Sequence, residues 1–195
     1  MNLTTKHFPA LHTAIVIAIL LLAGPARGAE PPQSVKTYQH QITGLFSIER
    51  EKDLQEIFAK LPEFKLVKID FENAEVSLEY DLAKVFPGAK PEQVIERLDD
   101  RVKNASEYTF GVKPLRSLPK DKLTLIEIPV AGLDCKACCF GAYCAIYQVP
   151  GVEVATASFK LGKITALIDP AKTNRAALEK ELKQREVEVK EEKKD

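Results

Sequence analysis

Gly132-Leu133-Asp134-Cys135-Lys136-Ala137-Cys138 sets two cysteines three residues apart, between a β-type run (Leu123–Val130) and a helix-type run ending at Val149-Pro150-Gly151-Val152. A CxxC at a strand-to-helix turn lies where helix N-terminal amides favour the thiolate over the thiol. Two thiolates on one short loop suit a soft metal ion or a disulfide. The other two cysteines, Cys139 and Cys144, follow within ten residues of Cys135. A disulfide scaffold would spread its cysteines along the chain, so the clustering points to a site.

An internal repeat positions this loop. At an offset of 88 residues, Gly44-Leu45 matches Gly132-Leu133, Phe58 matches Ile146 and Pro62 matches Pro150. Further on, Phe71 matches Phe159, Val76 matches Ile164 and Asp81 matches Asp169. The register then slips by four, so that Val94 matches Leu178. Each copy reads β-α-β-β-α-β from its apolar periodicities. In the first copy the strands are 38–46, 64–71, 75–80 and 108–112, with helices over 52–61 and 91–104. In the second the strands are 123–130, 154–159, 163–168 and 186–189, with helices over 138–148 and 174–184. The expected class is α+β: two tandem ferredoxin-like βαββαβ sandwiches, each an antiparallel sheet with two helices on one face.

The first 28 residues read as a secretory signal. Lys6 leads into an apolar core over 14–23, Pro25 breaks it, and Ala26-Arg27-Gly28 offers small residues for cleavage. The core is shorter than the roughly 20 apolar residues of a comfortable membrane span. The expected organisation is a signal over 1–28, a flexible mature start over 29–36, a first domain over 37–113, a linker over 114–121, a second domain over 122–189, and a charged tail over 190–195. Cleavage removes Lys6 and Arg27, taking the 28 basic residues to 26 against 28 acidic ones. That balance argues against a nucleic-acid partner. Met1, His7 and His12 go too, leaving no methionine and His40 alone. Thiolates must therefore build any soft-metal site.

On these residues the second copy resembles the heavy-metal-associated domain, the family of small copper chaperones, periplasmic mercury-binding proteins and N-terminal modules of metal-pumping ATPases. The shared pattern is Gly132, Cys135, Cys138, Ile146, Gly151-Val152 and Gly162. The resemblance implies that Cys135 and Cys138 hold one Cu(I), Hg(II) or similar soft ion, with Zn(II) as a further candidate. It implies transfer to or from a metal-donating or metal-accepting protein, such as a membrane transporter. The chain departs from the family in having Leu133-Asp134 before the first cysteine, which adds a carboxylate, and Gln184-Arg185 before the last strand. Asp134 and Arg185 are therefore expected around the ligands, Arg185 offsetting thiolate charge. The first copy has Ser47 and Arg50 where the two cysteines fall, and neither replaces a thiolate. It reads as a degenerate, metal-silent copy for support or docking.

Cys139, beside the pair, is a candidate third ligand or a small buried thiol. Phe140, Tyr143, Cys144 and Tyr147 form a second apolar stripe on the CxxC helix, opposite Ala142, Ile146 and Val149. The matching residues in the first copy are Lys52, Gln55, Glu56 and Ala59, a solvated face. A helix apolar on both sides needs a cover, here the first copy or a second molecule in a homodimer.

Three functions follow. The first is an exported heavy-metal-binding protein, periplasmic by expectation, with a secreted or membrane-anchored form as the alternatives. The second is a thiol–disulfide protein using the CxxC as an oxidisable pair. The third is a non-catalytic interaction module in which the CxxC is a structural disulfide. No hydrolase triad, phosphate loop or paired-carboxylate site is legible, so an enzyme is not expected.

Overall fold

The computed structural model describes residues 34–190. The signal over 1–28, residues 29–33 and residues 191–195 of the tail lie outside the described residues. Nine-residue strand β1 (Val35–Thr43) starts the fold, so Val35 and Lys36 belong to it and not to a flexible start. It is followed by α1 (Arg50–Ala59), β2 (Lys65–Asp70), β3 (Glu75–Asp81), a short α2 (Leu82–Val85), α3 (Pro91–Ala105) and β4 (Gly111–Lys113). A single 3-10 turn, Lys120–Lys122, precedes β5 (Thr124–Pro129), α4 (Lys136–Tyr147), β6 (Val152–Ser158), β7 (Lys163–Ile168) and α5 (Arg175–Gln184). The class is α+β with two antiparallel sheets and five helices.

The first sheet runs β2-β3-β1-β4. Period-two alternation on β3 turns Val76, Leu78 and Tyr80 inward and Glu75, Ser77 and Glu79 outward. Helical spacing brings Leu54 and Phe58 of α1 and Val94, Leu98 and Val102 of α3 onto that apolar face. The second sheet runs β5-β7-β6 and buries Ile164, Ala166 and Ile168 against α4 and α5.

Two terminal strands are shorter than their apolar patterns predict. In place of a strand over 186–189 there is one bridge, Val130 with Val189. The cause lies at the end of α5: Glu186 takes a left-handed φ of 60° and its N–H and that of Val187 bond back to Lys183 and Leu182 carbonyls. This helix closure uses the donors a strand would have needed. Likewise Glu107 and Tyr108 have positive φ, and β4 begins only at Gly111. Helix α2 was not foreseen. Asp81 nucleates it, its carboxylate accepting the N–H groups of Ala83 and Lys84 at 3.0 and 3.2 Å.

An edge strand needs protection, and the outer edge of β6 meets the first half of the chain. A bulge between Val152 and Val154 takes Glu153 out of the ladder. Its freed carbonyl accepts Gln41 Nε2 at 2.7 Å and Lys113 Nζ at 3.3 Å. Further along, the Ala157 N–H donates to the Phe46 carbonyl at 2.9 Å. Phe46 itself, from the β1–α1 loop, sits in the core of the second half. The segment over 114–121 is pinned by Arg116, which pairs with Glu75 at 3.2 Å and donates to Asn73.

Candidate metal centre

The CxxC loop is held at both ends before its cysteines are reached. The Val130 and Ala131 N–H groups donate to the Gly162 and Glu188 carbonyls, each at 2.9 Å, and Leu133 is buried as an anchor. Cys135 then caps α4 from an extended conformation, and its Sγ accepts the Cys138 N–H at 3.0 Å. Cys135 is exposed and Cys138 half-buried. Their Cα atoms are 5.1 Å apart and their sulfurs are joined as a disulfide. The sequence left thiolates and disulfide as alternatives, and the described state is the disulfide.

The pair fits a shared soft ion once reduced. The backbone already brings the two sulfurs together, and sulfurs each about 2.3 Å from one ion need only modest separation. The N-terminal end of α4 and the Cys138 amide favour negative charge on Cys135. Among the described residues no three His, Cys, Asp or Glu side chains gather into a metal-holding group. Cys139 is only 2% exposed, on the inner side of α4, with its Sγ 3.9 Å from the Leu133 carbonyl. Burial raises its pKa and so opposes a ligating thiolate. Asp134 is exposed on the loop and pairs with no cation among the described residues. Arg185, just past α5, lines the same cavity of about 530 Å³ as Cys138.

The second apolar stripe faces the first half of the chain. Tyr143 is 4% exposed, and its hydroxyl accepts the Gly44 N–H at 2.8 Å. Phe46 contacts Phe140 and Tyr143 with ring centroids 5.8 and 5.7 Å apart. Lys113 Nζ lies 4.8 Å from the Tyr147 ring centre. Cys144 is half-buried beside this stripe, and burial raises its pKa against the pull of Arg185. Two ion pairs flank the seam, Lys136 to Asp53 and Lys160 to Glu49, each at 2.6 Å. Both are solvent-exposed on the lysine side and add little stability.

In the first copy the place of the two thiols is filled by a guanidinium. Arg50 lies 4.0 Å from the Phe110 ring centre and 5.2 Å from that of Phe46. It donates to the Gly44 and Thr109 carbonyls at 3.2 and 3.3 Å and pairs with Asp53 at 2.9 Å. Gly44, at φ 85°, lets the Thr109 carbonyl approach where a Cβ would collide. Arg50, which the 88-residue offset sets against Cys138, thus closes this end of the fold.

Gly141 was missed by the sequence reading. It stands in the middle of α4, where glycine costs about 1 kcal/mol against alanine. A Cβ there would meet nothing within 4 Å. Among the described residues no packing calls for it, and a glycine inside a helical run is the signal in the sequence.

No protein-family model matches the chain, and no curated protein matches it. Among solved structures, the chain is similar to the N-terminal soluble domains of Bacillus subtilis CopA in solution, at 15% identity and a TM-score of 0.34, over 84% of this chain and 99% of that one. It is likewise similar to the water-soluble region of the P-type ATPase CopA from Bacillus subtilis, at 15% identity and a TM-score of 0.34, over 82% of this chain and 93% of that one. Superpositions this loose leave the chain's own residues to carry the functional reading.

Proposed function

We propose that this chain is a heavy-metal-binding protein built as two tandem βαββαβ units of the heavy-metal-associated kind, in which the reduced Cys135–Cys138 pair holds one soft ion, Cu(I) before Hg(II) or Zn(II). The observation that carries this is the pair itself: two sulfurs brought together at the cap of α4, on an exposed loop, with the Cys138 amide 3.0 Å from Cys135 Sγ. The chemistry is that of two-thiolate ligation, which selects soft ions over hard ones. Arg185 lies near enough to line the same cavity and offsets part of the negative charge of a dithiolate.

The remaining parts of the reading follow from the same site. The exposed loop suits transfer to and from a donor or acceptor protein rather than storage. The first copy holds no soft ion and serves as the platform on which α4 is packed. The chain works in an exported compartment, the periplasm, and performs no catalysis of its own. The disulfide supports a second reading, a thiol–disulfide role, because the same two sulfurs are already paired.

The test is a Cu(I) titration of the fully reduced, anaerobic protein against a competing chelator, repeated on Cys135→Ser and Cys139→Ser. The expected result is one tightly held ion, lost in Cys135→Ser and kept in Cys139→Ser. Failure of the reduced protein to compete with the chelator sinks the metal reading and leaves the thiol–disulfide one.

A further inference from the structure

The described Cys135–Cys138 pair is a disulfide, and a thiol that opens it must reach one of its two sulfurs. The cavity beside it is lined by Gly132, Leu133, Cys138, Gly141, Arg185, Glu186 and Glu188. Its volume of about 530 Å³ lies in the range of small-molecule sites. Cys138 is on its wall and Cys135 is not. Gly141 also lines it, and a Cβ there would meet no atom of the described residues within 4 Å. The charges lining it are of both signs: Arg185 makes no ion pair among the described residues, and Glu186 and Glu188, close by in sequence, also line the cavity.

We infer that this groove is a binding site for a small zwitterionic thiol, a short cysteine peptide or free cysteine, which opens the disulfide at Cys138. Arg185 takes the ligand's carboxylate, in the geometry that guanidinium offers to carboxylates. Glu186 and Glu188 take its ammonium group. The ligand enters as its thiolate, having given its proton to solvent. Its sulfur forms a new S–S bond to Cys138 Sγ as the Cys135–Cys138 bond breaks. The electron pair leaves on Cys135 Sγ, which already accepts the Cys138 N–H at 3.0 Å. A second thiolate then attacks the ligand's sulfur and frees Cys138. The protein ends as a dithiol, and two external thiols end as one external disulfide.

The inference stands on the groove and the disulfide and does not need the metal reading, so its test contains no metal. The oxidised full chain is mixed with glutathione, cysteine or 2-mercaptoethanol at matched thiolate concentration, and opening is followed by acid quench and mass spectrometry. The two zwitterionic thiols are expected to act about fivefold faster than the neutral one, the scale of an exposed ion pair. Arg185→Ala should abolish that preference, read as the ratio of charged-thiol to neutral-thiol rates within the variant. Gly141→Leu, which fills the groove with a good helix former, should slow all three. The mixed disulfide should map to Cys138. Equal rates for charged and neutral thiols, an unchanged preference in Arg185→Ala, or a mixed disulfide on Cys135 overturns the inference, whatever the Cu(I) titration shows.

Discussion

The Tyr143 hydroxyl, on the CxxC helix, accepts the backbone N–H of Gly44, 99 residues earlier, at 2.8 Å. Gly44 opens the loop that in the first copy corresponds to the CxxC loop of the second. The loop after β1 and the helix that bears the sulfurs are therefore joined by a buried hydrogen bond. Phe46 follows in the same loop and lies against the Phe140 and Tyr143 rings.

Tyr143→Phe keeps the ring and removes the acceptor. The Gly44 N–H is then left buried without a partner, which costs about 1–3 kcal/mol. Urea unfolding should show a lower midpoint with an unchanged slope. Burial already pushes the Tyr143 phenol well above its ordinary pKa, because a phenolate there would lose its water. Its absorbance should accordingly show no phenolate signal up to the pH at which the chain unfolds.

Arg50→Lys replaces a planar fork by a point charge. The guanidinium reaches two backbone carbonyls and Asp53 while lying over Phe110. An ammonium cannot meet all of these at once. The expected loss is about 1–3 kcal/mol, read by urea unfolding. Asp53→Asn should cost less, at most about 1 kcal/mol, since that carboxylate is a third exposed and its pairs are partly screened.

The α+β class with antiparallel sheets was legible from apolar spacing, because that spacing marks which residues of each strand and helix face inward. Leu54 and Phe58, which the 88-residue offset pairs with Ala142 and Ile146, and Leu98, paired with Leu182 after the slip of four, all hold core positions. The second stripe was legible by contrast, since Phe140, Tyr143 and Tyr147 stand where the first copy has Lys52, Gln55 and Ala59. In the sequence Arg50 stands only as a lost ligand. Its burial depends on Phe110 and Thr109, sixty residues on, which spacing does not reveal. The shortening of the last strand comes from a left-handed Glu186, a backbone state that its side chain does not announce. Whether the CxxC is oxidised was not legible at all, because the same two residues serve a metal and a disulfide.

The four cysteines should react in a fixed order. In the oxidised protein, Cys135 and Cys138 are unavailable and Cys139 and Cys144 are free. Burial raises the pKa of both free thiols, which slows alkylation. Cys144, half-buried, should label before Cys139, which is almost wholly covered. Reduction should make Cys135 the fastest of all, through its exposure and its place at the cap of α4. Peptide mapping after timed iodoacetamide pulses gives the order, and Cys139 labelling first in the native protein would contradict this arrangement.

His40 sets the response to mild acid. It lies in β1, 4% exposed, with Nε2 3.2 Å from the Tyr80 hydroxyl and no partner for Nδ1 among the described residues. Burial lowers its pKa from 6.5 to about 4, because an imidazolium there would lose its water. Between those values the unfolded chain binds the proton and the folded chain does not. Stability therefore rises with pH from about 4 to 6.5 and is flat above that. The full difference is about 3 kcal/mol, at about 1.36 kcal/mol for each pH step between 4 and 6.5. The carboxylates with lowered pKa values, such as Glu49 held at about 2 chiefly by Lys160, act in a lower window that begins near pH 4. Urea midpoints measured at pH 4.5, 5.5, 6.5 and 7.5, in buffers covering roughly that span, should fall only below 6.5. In His40→Gln the fall over pH 4.5–6.5 should disappear, and an unchanged fall would place the titrating group elsewhere.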